Sequence, residues 1–251
     1  MGEPQAMESY RALCSDYYVN QKFSLKLDLP KNRESVLDLF ERIRRTHPQM
    51  DAFKRYKEEL ALESPSSERE HCWLAIRASD IRSGAVNPAT SEDAYGLHRQ
   101  VLEVAPYFLS ISSLDVEYLE LLYGFDLAAT GNQDAIVHDA LMEATPFGTL
   151  LDLPGARCSD CQPLFGVHFG DKGEFEASVE VKTRPSSSTG DSGEPISVYV
   201  TIRRYGSVGD LKELPAAMDE IAEHGERLVR DHLVSAVLAP LREAIISGGG
   251  S

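Results

Sequence analysis

Apolar and polar residues alternate from Lys22 to Leu29, with Phe23, Leu25, Leu27 and Leu29 on one side and Lys22, Ser24, Lys26 and Asp28 on the other. That period of two predicts a strand with one wet face, stopped by Pro30. Asn32 stands where an N-cap belongs, and Val36, Leu37, Leu39, Phe40 and Ile43 follow at helical spacing up to Pro48. A polar stretch, Phe53 to Lys57, leads to a short strand around Leu60 and Leu62. Ser64-Pro65-Ser66-Ser67 reads as a turn. Alternation resumes from Cys72 to Ala78, with Cys72, Leu74 and Ile76 on one side, and either continues or bends through Gly84 toward Val86. After Asn87-Pro88, Thr90 and Asp93 resemble a capping box with Asp in the Glu/Gln place. Ala94, Leu97, Val101 and Ala105 then form the apolar face of a helix ending at Pro106.

The segment from Tyr107 to Leu127 fits two periods. Val116, Leu119, Leu122 and Tyr123 suit a helix, whereas Leu119, Leu121, Tyr123, Phe125 and Leu127 suit a strand. A strand from Glu117 to Asp126 completes a β-α-β-β-α-β order of ferredoxin-like type, and this is the reading adopted. Thr130-Gly131-Asn132 then supplies a turn and cap for a short helix carrying Ile136, Val137, Ala140 and Leu141.

Pro146 to Gln162 has no period. Beyond it, Leu164 to Phe169 and Glu174 to Arg184 read as strands, the second with Phe175, Ala177, Val179 and Val181 facing in. A Ser/Gly-rich loop, Pro185 to Glu194, connects it to a strand from Ile196 to Tyr205, and these two strands are expected to pair as a hairpin. Pro215 suits the first turn of a long C-terminal helix, with Met218, Ile221, Leu228 and Val237 as apolar positions until Pro240. The rhythm of Leu211, Leu214, Met218, Ile221, Gly225 and Leu228 is heptad-like but too short to argue a coiled coil, so the helix is expected to lie across the sheet.

These patterns predict an α+β, mainly antiparallel fold: a ferredoxin-like half over residues 1–145, and a β-hairpin with a long helix over 146–247, the two forming either separate units or one continuous domain. The Gly248-Gly249-Gly250-Ser251 tail reads as a linker scar. No internal sequence repeat is evident.

Charge narrows the partners. With 40 acidic and 25 basic side chains, the net charge of −15 opposes nucleic acid and anionic membrane surfaces. Met1 to Ser9 lacks a basic region followed by an apolar run, and no window approaches the ~20 apolar residues of a membrane span. The four cysteines are too few for a disulfide scaffold, so a cytoplasmic location is expected.

Candidate chemistry is sparse. Cys158-Ser159-Asp160-Cys161 spaces two thiols for one metal or one thiol-exchange step, but a zinc site needs two more ligands, which His168 or Cys72 would have to bring through the fold. His71 and Cys72 are adjacent on a strand and so point to opposite faces. Glu174, Glu176 and Glu180 share a strand face, where a solvated row is the ordinary reading and a cation site the other. Arg42, Arg44, Arg45, Lys54, Arg55 and Lys57 form a basic cluster able to grip an anion or to end a helix. Of Arg203 and Arg204, only one can face a given ligand. The histidines His224 and His232 lie two turns apart, too far to share one metal. Phosphate loops, GxGxxG, HExxH, GxSxG and EF-hand spacings do not occur.

The expectation is a non-catalytic protein-interaction or assembly module, a homo-oligomer or one with a protein partner, and no cofactor. One alternative is a small-molecule-binding protein or enzyme with a site between sheet and helix, using Arg203, Arg204, Tyr199 and Glu180. The other is a redox or zinc protein centred on Cys158 and Cys161.

Overall fold

The computed structural model describes residues 10, 12–29, 32–65, 69–151, 153–183 and 195–248. The expected Pro185–Glu194 loop, the first nine residues and the tail after Gly248 lie outside the described residues.

The chain opens on β1 (Asp16–Leu25), followed by α1 (Arg33–Arg44). Four strands come next: β2 (Ala52–Arg55), β3 (Leu60–Glu63), β4 (His71–Ile76) and β5 (Asp80–Val86). The helix α2 (Ser91–Phe108) leads to β6 (Val116–Leu127) and the short α3 (Gln133–Leu141). Three more strands, β7 (Leu164–Phe169), β8 (Phe175–Lys182) and β9 (Ile196–Tyr205), precede the C-terminal helix. That helix runs through α4 (Leu214–Leu228), a π-helical stretch over Val229–Leu238, and α5 (Ala239–Gly248).

The nine strands among the described residues form one sheet in the order β2-β3-β4-β5-β1-β6-β9-β8-β7, antiparallel at every pairing. The expected hairpin is present as β8 against β9, but it is continuous with β6 rather than a separate unit. The order strand, helix, antiparallel meander, helix runs through the chain twice. It covers β1 to α2 and then β6 to α4, and in each pass the last strand of the meander lies beside the first strand. The two passes meet where β1 pairs with β6, Gln21 opposite Leu121.

The helices pack on one face of the sheet. Tyr17, Val19, Phe23 and Leu25 of β1, Leu119, Leu121, Tyr123 and Phe125 of β6, and Ile196, Val198, Val200 and Ile202 of β9 are buried beneath them. Fully burying each such side chain is worth about 1.5–3 kcal/mol, so the alternation that predicted these strands also fixes which way they face. The helix α2 lies across β1 and β5, α4 lies across β6 and β9, and α3 packs on α5.

Local signals placed most boundaries. Asn32 caps α1 through Glu34 N–H at 3.1 Å, and Thr90 with Asp93 forms the expected capping box. Four expectations differ. The first strand is shifted toward the N-terminus and ends at Leu25, leaving Leu27 66% exposed. The polar Phe53–Lys57 stretch holds strand β2, with Phe53 facing the helices and packed on Phe40 at 5.8 Å. Neither Pro106 nor Pro240 ends its helix. Around Pro240 the preceding turns widen to π geometry, and Ala239 N–H donates to the Val234 carbonyl five residues back.

Candidate functional site

On the sheet face opposite the helices, Arg203 of β9 stands opposite Glu120 of β6 and Glu176 of β8. Its Nε donates to Glu120 Oε2 at 2.8 Å and its Nη1 to the Tyr205 hydroxyl at 2.7 Å. Tyr205 in turn donates to Glu176 at 2.6 Å. The guanidinium lies 4.5 Å from the Tyr118 ring centre, an arrangement that favours a cation over an aromatic face. Burial works against the Arg203 cation, but its bonds to Tyr205 and Glu120 outweigh that and raise its pKa. Its donors are thus satisfied within the chain.

The other expected ligand residues divide between the two faces. Tyr199 is directly opposite Glu180, and Lys182 lies 5.8 Å over the Tyr199 ring. Arg204 faces the helices instead, 3.7 Å from Glu220 of α4. The structure therefore brings Arg203, Tyr199 and Glu180 to one sheet face and separates Arg204 from them, as strand alternation requires. None of the four lines the cleft at the start of α1 or the smaller pocket between Leu13 and Arg242. Nearby, the Tyr18 ring lies flat over Gly124, where any Cβ would collide with it.

Charges on this face are answered locally: Lys54 by Glu63 at 2.7 Å, Arg82 by Asp80 at 2.6 Å, and Lys182 by Glu180 at 3.2 Å. Of the carboxylate row, Glu174 lies just before β8, where it accepts from Lys172 N–H, while Glu176 and Glu180 are already engaged. The basic cluster is also divided, with Arg44 paired to Glu41 at 2.6 Å on α1 and Lys54 on the far side of the sheet from Arg55.

Cys158 and Cys161 lie in the irregular segment before β7, pinned to the start of α3. Asn132 Nδ2 donates to the Cys158 carbonyl at 3.1 Å, and Asp134 Oδ1 accepts from Cys161 N–H at 3.0 Å and from Thr183 Oγ1 at 2.6 Å. Burial, reinforced by the neighbouring Cys158, pushes the Cys161 thiol up to about 11. That disfavours the thiolate that metal binding or thiol exchange needs. Cys72 is on β4, six strand positions from β7, roughly 29 Å at ~4.8 Å per strand. It cannot join them. Among the described residues no group of three or more His, Cys, Asp or Glu side chains is placed to hold a metal ion.

Two features escaped the sequence reading. One is a buried polar set in which Ser83 Oγ lies 2.8 Å from His98 Nδ1, with Gln21 beside it. All three are nearly inaccessible, which removes Ser83 and His98 from consideration as a nucleophile and base. The other is the outer edge of β7. Leu164, Phe165 and Val167 are 66%, 68% and 41% exposed, and their strand carries no Lys, Asp, Glu or Pro. The opposite edge, β2, is four residues long and carries Lys54 and Arg55. Alternation alone does not say which strand ends a sheet, so this asymmetry was not legible in the sequence.

No helix among the described residues is long and apolar enough to cross a membrane. No family model matches the chain, and no curated protein matches it. Two solved structures align over most of its length. The di-domain ARO/CYC StfQ from the steffimycin biosynthetic pathway is 8% identical, covering 92% of this chain and 99% of that one, with a TM-score of 0.23. The di-domain ARO/CYC BexL from the BE-7585A biosynthetic pathway is 10% identical, covering 91% and 98%, with the same TM-score of 0.23. Likeness at that level carries no argument about this chain.

Proposed function

We propose that this chain is a non-catalytic assembly module that self-associates through β7, two copies pairing edge to edge so that their sheets join. The observation carrying this reading is the contrast between the sheet's two edges. Proteins ordinarily blunt an edge strand with charge, proline, a bulge or short length. The edge at β2 has two of these devices and β7 has none.

A second copy suits this edge better than an unrelated strand. Antiparallel pairing centred on Val167 sets Phe165 against Phe169 and Val167 against Val167 on the helix-bearing face. Cross-strand aromatic and β-branched pairs of this kind stabilise by roughly 0.2–1 kcal/mol each. The strand is also free of formal charge, so two chains each at −15 can meet there with the least local repulsion. We read the run β4-β5-β1-β6 with α1 and α2 as a ferredoxin-like core, with β7 on a flank far from it.

Native mass spectrometry and sedimentation at tens of micromolar test the proposal. The expected result is a dimer for the native chain and a monomer for Val167→Lys, with an unchanged circular dichroism spectrum because Val167 is exposed. A native chain that stays monomeric overturns self-association. A dimer that survives Val167→Lys overturns the assignment to β7.

A further inference from the structure

A cleft of about 800 Å³ opens between the start of α1, the end of the β2–β3 hairpin and the β4–β5 turn. Its floor is apolar: Leu29, Val36 and Ile76 are buried, and Phe53, 48% exposed, turns its ring toward α1. Its rim is cationic. Arg33, Arg55 and Lys57 line it, all exposed, and none makes an ion pair or hydrogen bond among the described residues. The other charges on the rim are mostly spent. Arg77 is bound to Glu59 at 2.7 Å, and Asp80 is bound to Arg82 at 2.6 Å, which leaves Glu58 as the acidic group facing three free cations.

This is an unusual place in a chain with 40 acidic and 25 basic side chains. Free cations grouped at a cavity mouth in so acidic a protein mark a local well for negative charge. An apolar floor of this extent stabilises hydrocarbon rather than a small inorganic anion. The volume falls within the ~300–1,000 Å³ usual for small-molecule sites. The first turn of α1 adds its N-terminal dipole to the same side, as a supplement to the side-chain cations.

We propose that this cleft binds an amphipathic anion: a hydrocarbon chain or ring laid on Leu29, Val36, Phe53 and Ile76, with a carboxylate or phosphate head held by Arg33, Arg55 and Lys57. The site is independent of β7 and does not rest on self-association.

The test titrates octanoate, octyl phosphate and 1-octanol into methyl-labelled protein, reading the Val36 and Ile76 methyl resonances. Both anions are expected to shift these resonances saturably and to bind roughly tenfold or more tightly than 1-octanol, the order of gain three partly exposed charge contacts give. The tighter of the two names the head group. In the triple variant Arg33→Gln, Arg55→Gln, Lys57→Gln that advantage is expected to disappear while 1-octanol binding persists, showing the floor intact. Equal binding of 1-octanol and octanoate to the native chain overturns the proposal whatever the variant does. So does the absence of shifts at these methyls, or an anion preference that the triple variant retains.

Discussion

The buried set around His98 shows how much one residue can set a protein's response to pH. His98 is fully enclosed between α2 and the sheet, and burial pushes its pKa down to about 3, against an upward pull from the Val19 backbone. Its Nδ1 meets Ser83, while Nε2 and the nearby Gln21 Oε1 have no hydrogen-bond partner among the described residues. The folded imidazole is neutral, whereas in the unfolded chain it takes up a proton below about pH 6.5. Between those two values the unfolded state binds the extra proton, so stability falls as pH falls. Between pH 6.5 and pH 5 the native chain is expected to lose about 1.5 kcal/mol more than His98→Gln, measured by denaturant unfolding at each pH. Parallel curves for the two proteins would refute a buried neutral imidazole. Nothing around His98 marked it in the sequence: it sits one place after Leu97 on the buried side of α2, and its partners come from two other elements, Ser83 on β5 and Gln21 on β1.

Elements were more legible than their ends. Strict alternation in β8 and β9, and the capping residues Asn32 and Thr90, are local signals, and each was readable because its physical cause lies within a few residues, whereas the β6 segment fitted two periods. The end of β1 was not, because Leu27 continues the alternation past the point where the sheet stops covering it. The C-terminal helix shows the same divide. Its heptad-like rhythm includes Gly225, which reads as a weak point in a helix. In the folded chain that glycine lets α4 lie directly on the Tyr123 ring, and any Cβ there would meet the ring. Tyr123 is held by Tyr95 at 2.9 Å and by the Ala222 carbonyl at 3.3 Å, while Tyr95 donates to Glu226 at 2.8 Å, so the ring has little freedom to retreat. Gly225→Ala gains helix propensity of about 1 kcal/mol yet is expected to destabilise by about 1–2 kcal/mol net through overpacking. Thermal unfolding checks this, and a raised midpoint would show that Tyr123 moves freely.

At the scale of the whole molecule, charge and sheet edge oppose each other. Two chains at −15 repel at long range, and added salt screens that repulsion over a Debye length of about 10 Å at 0.1 M. If copies pair through the uncharged β7, their association is expected to tighten as sodium chloride rises from about 20 mM to about 500 mM, measured by sedimentation equilibrium. Loosening with salt would place the interface on ion pairs, and so away from β7. The sequence made the antiparallel class and the large net charge plain. It did not reveal that one sheet spans both expected halves, because the β6–β9 pairing that unites them depends on residues far apart in the chain, Tyr118 opposite Tyr205.

The pairing of β1 with β6 has a temporal consequence. Strand β1 leaves the ribosome well before β6, and one of its two edges stays open until β6 has been made. The second edge of β6 waits longer still, for β9. Loop closure over such separations is slow, so the sheet cannot zip up strand by strand from one end. Its middle is sealed only after its first flank exists, and until then the growing chain offers a half-built surface that invites other strands.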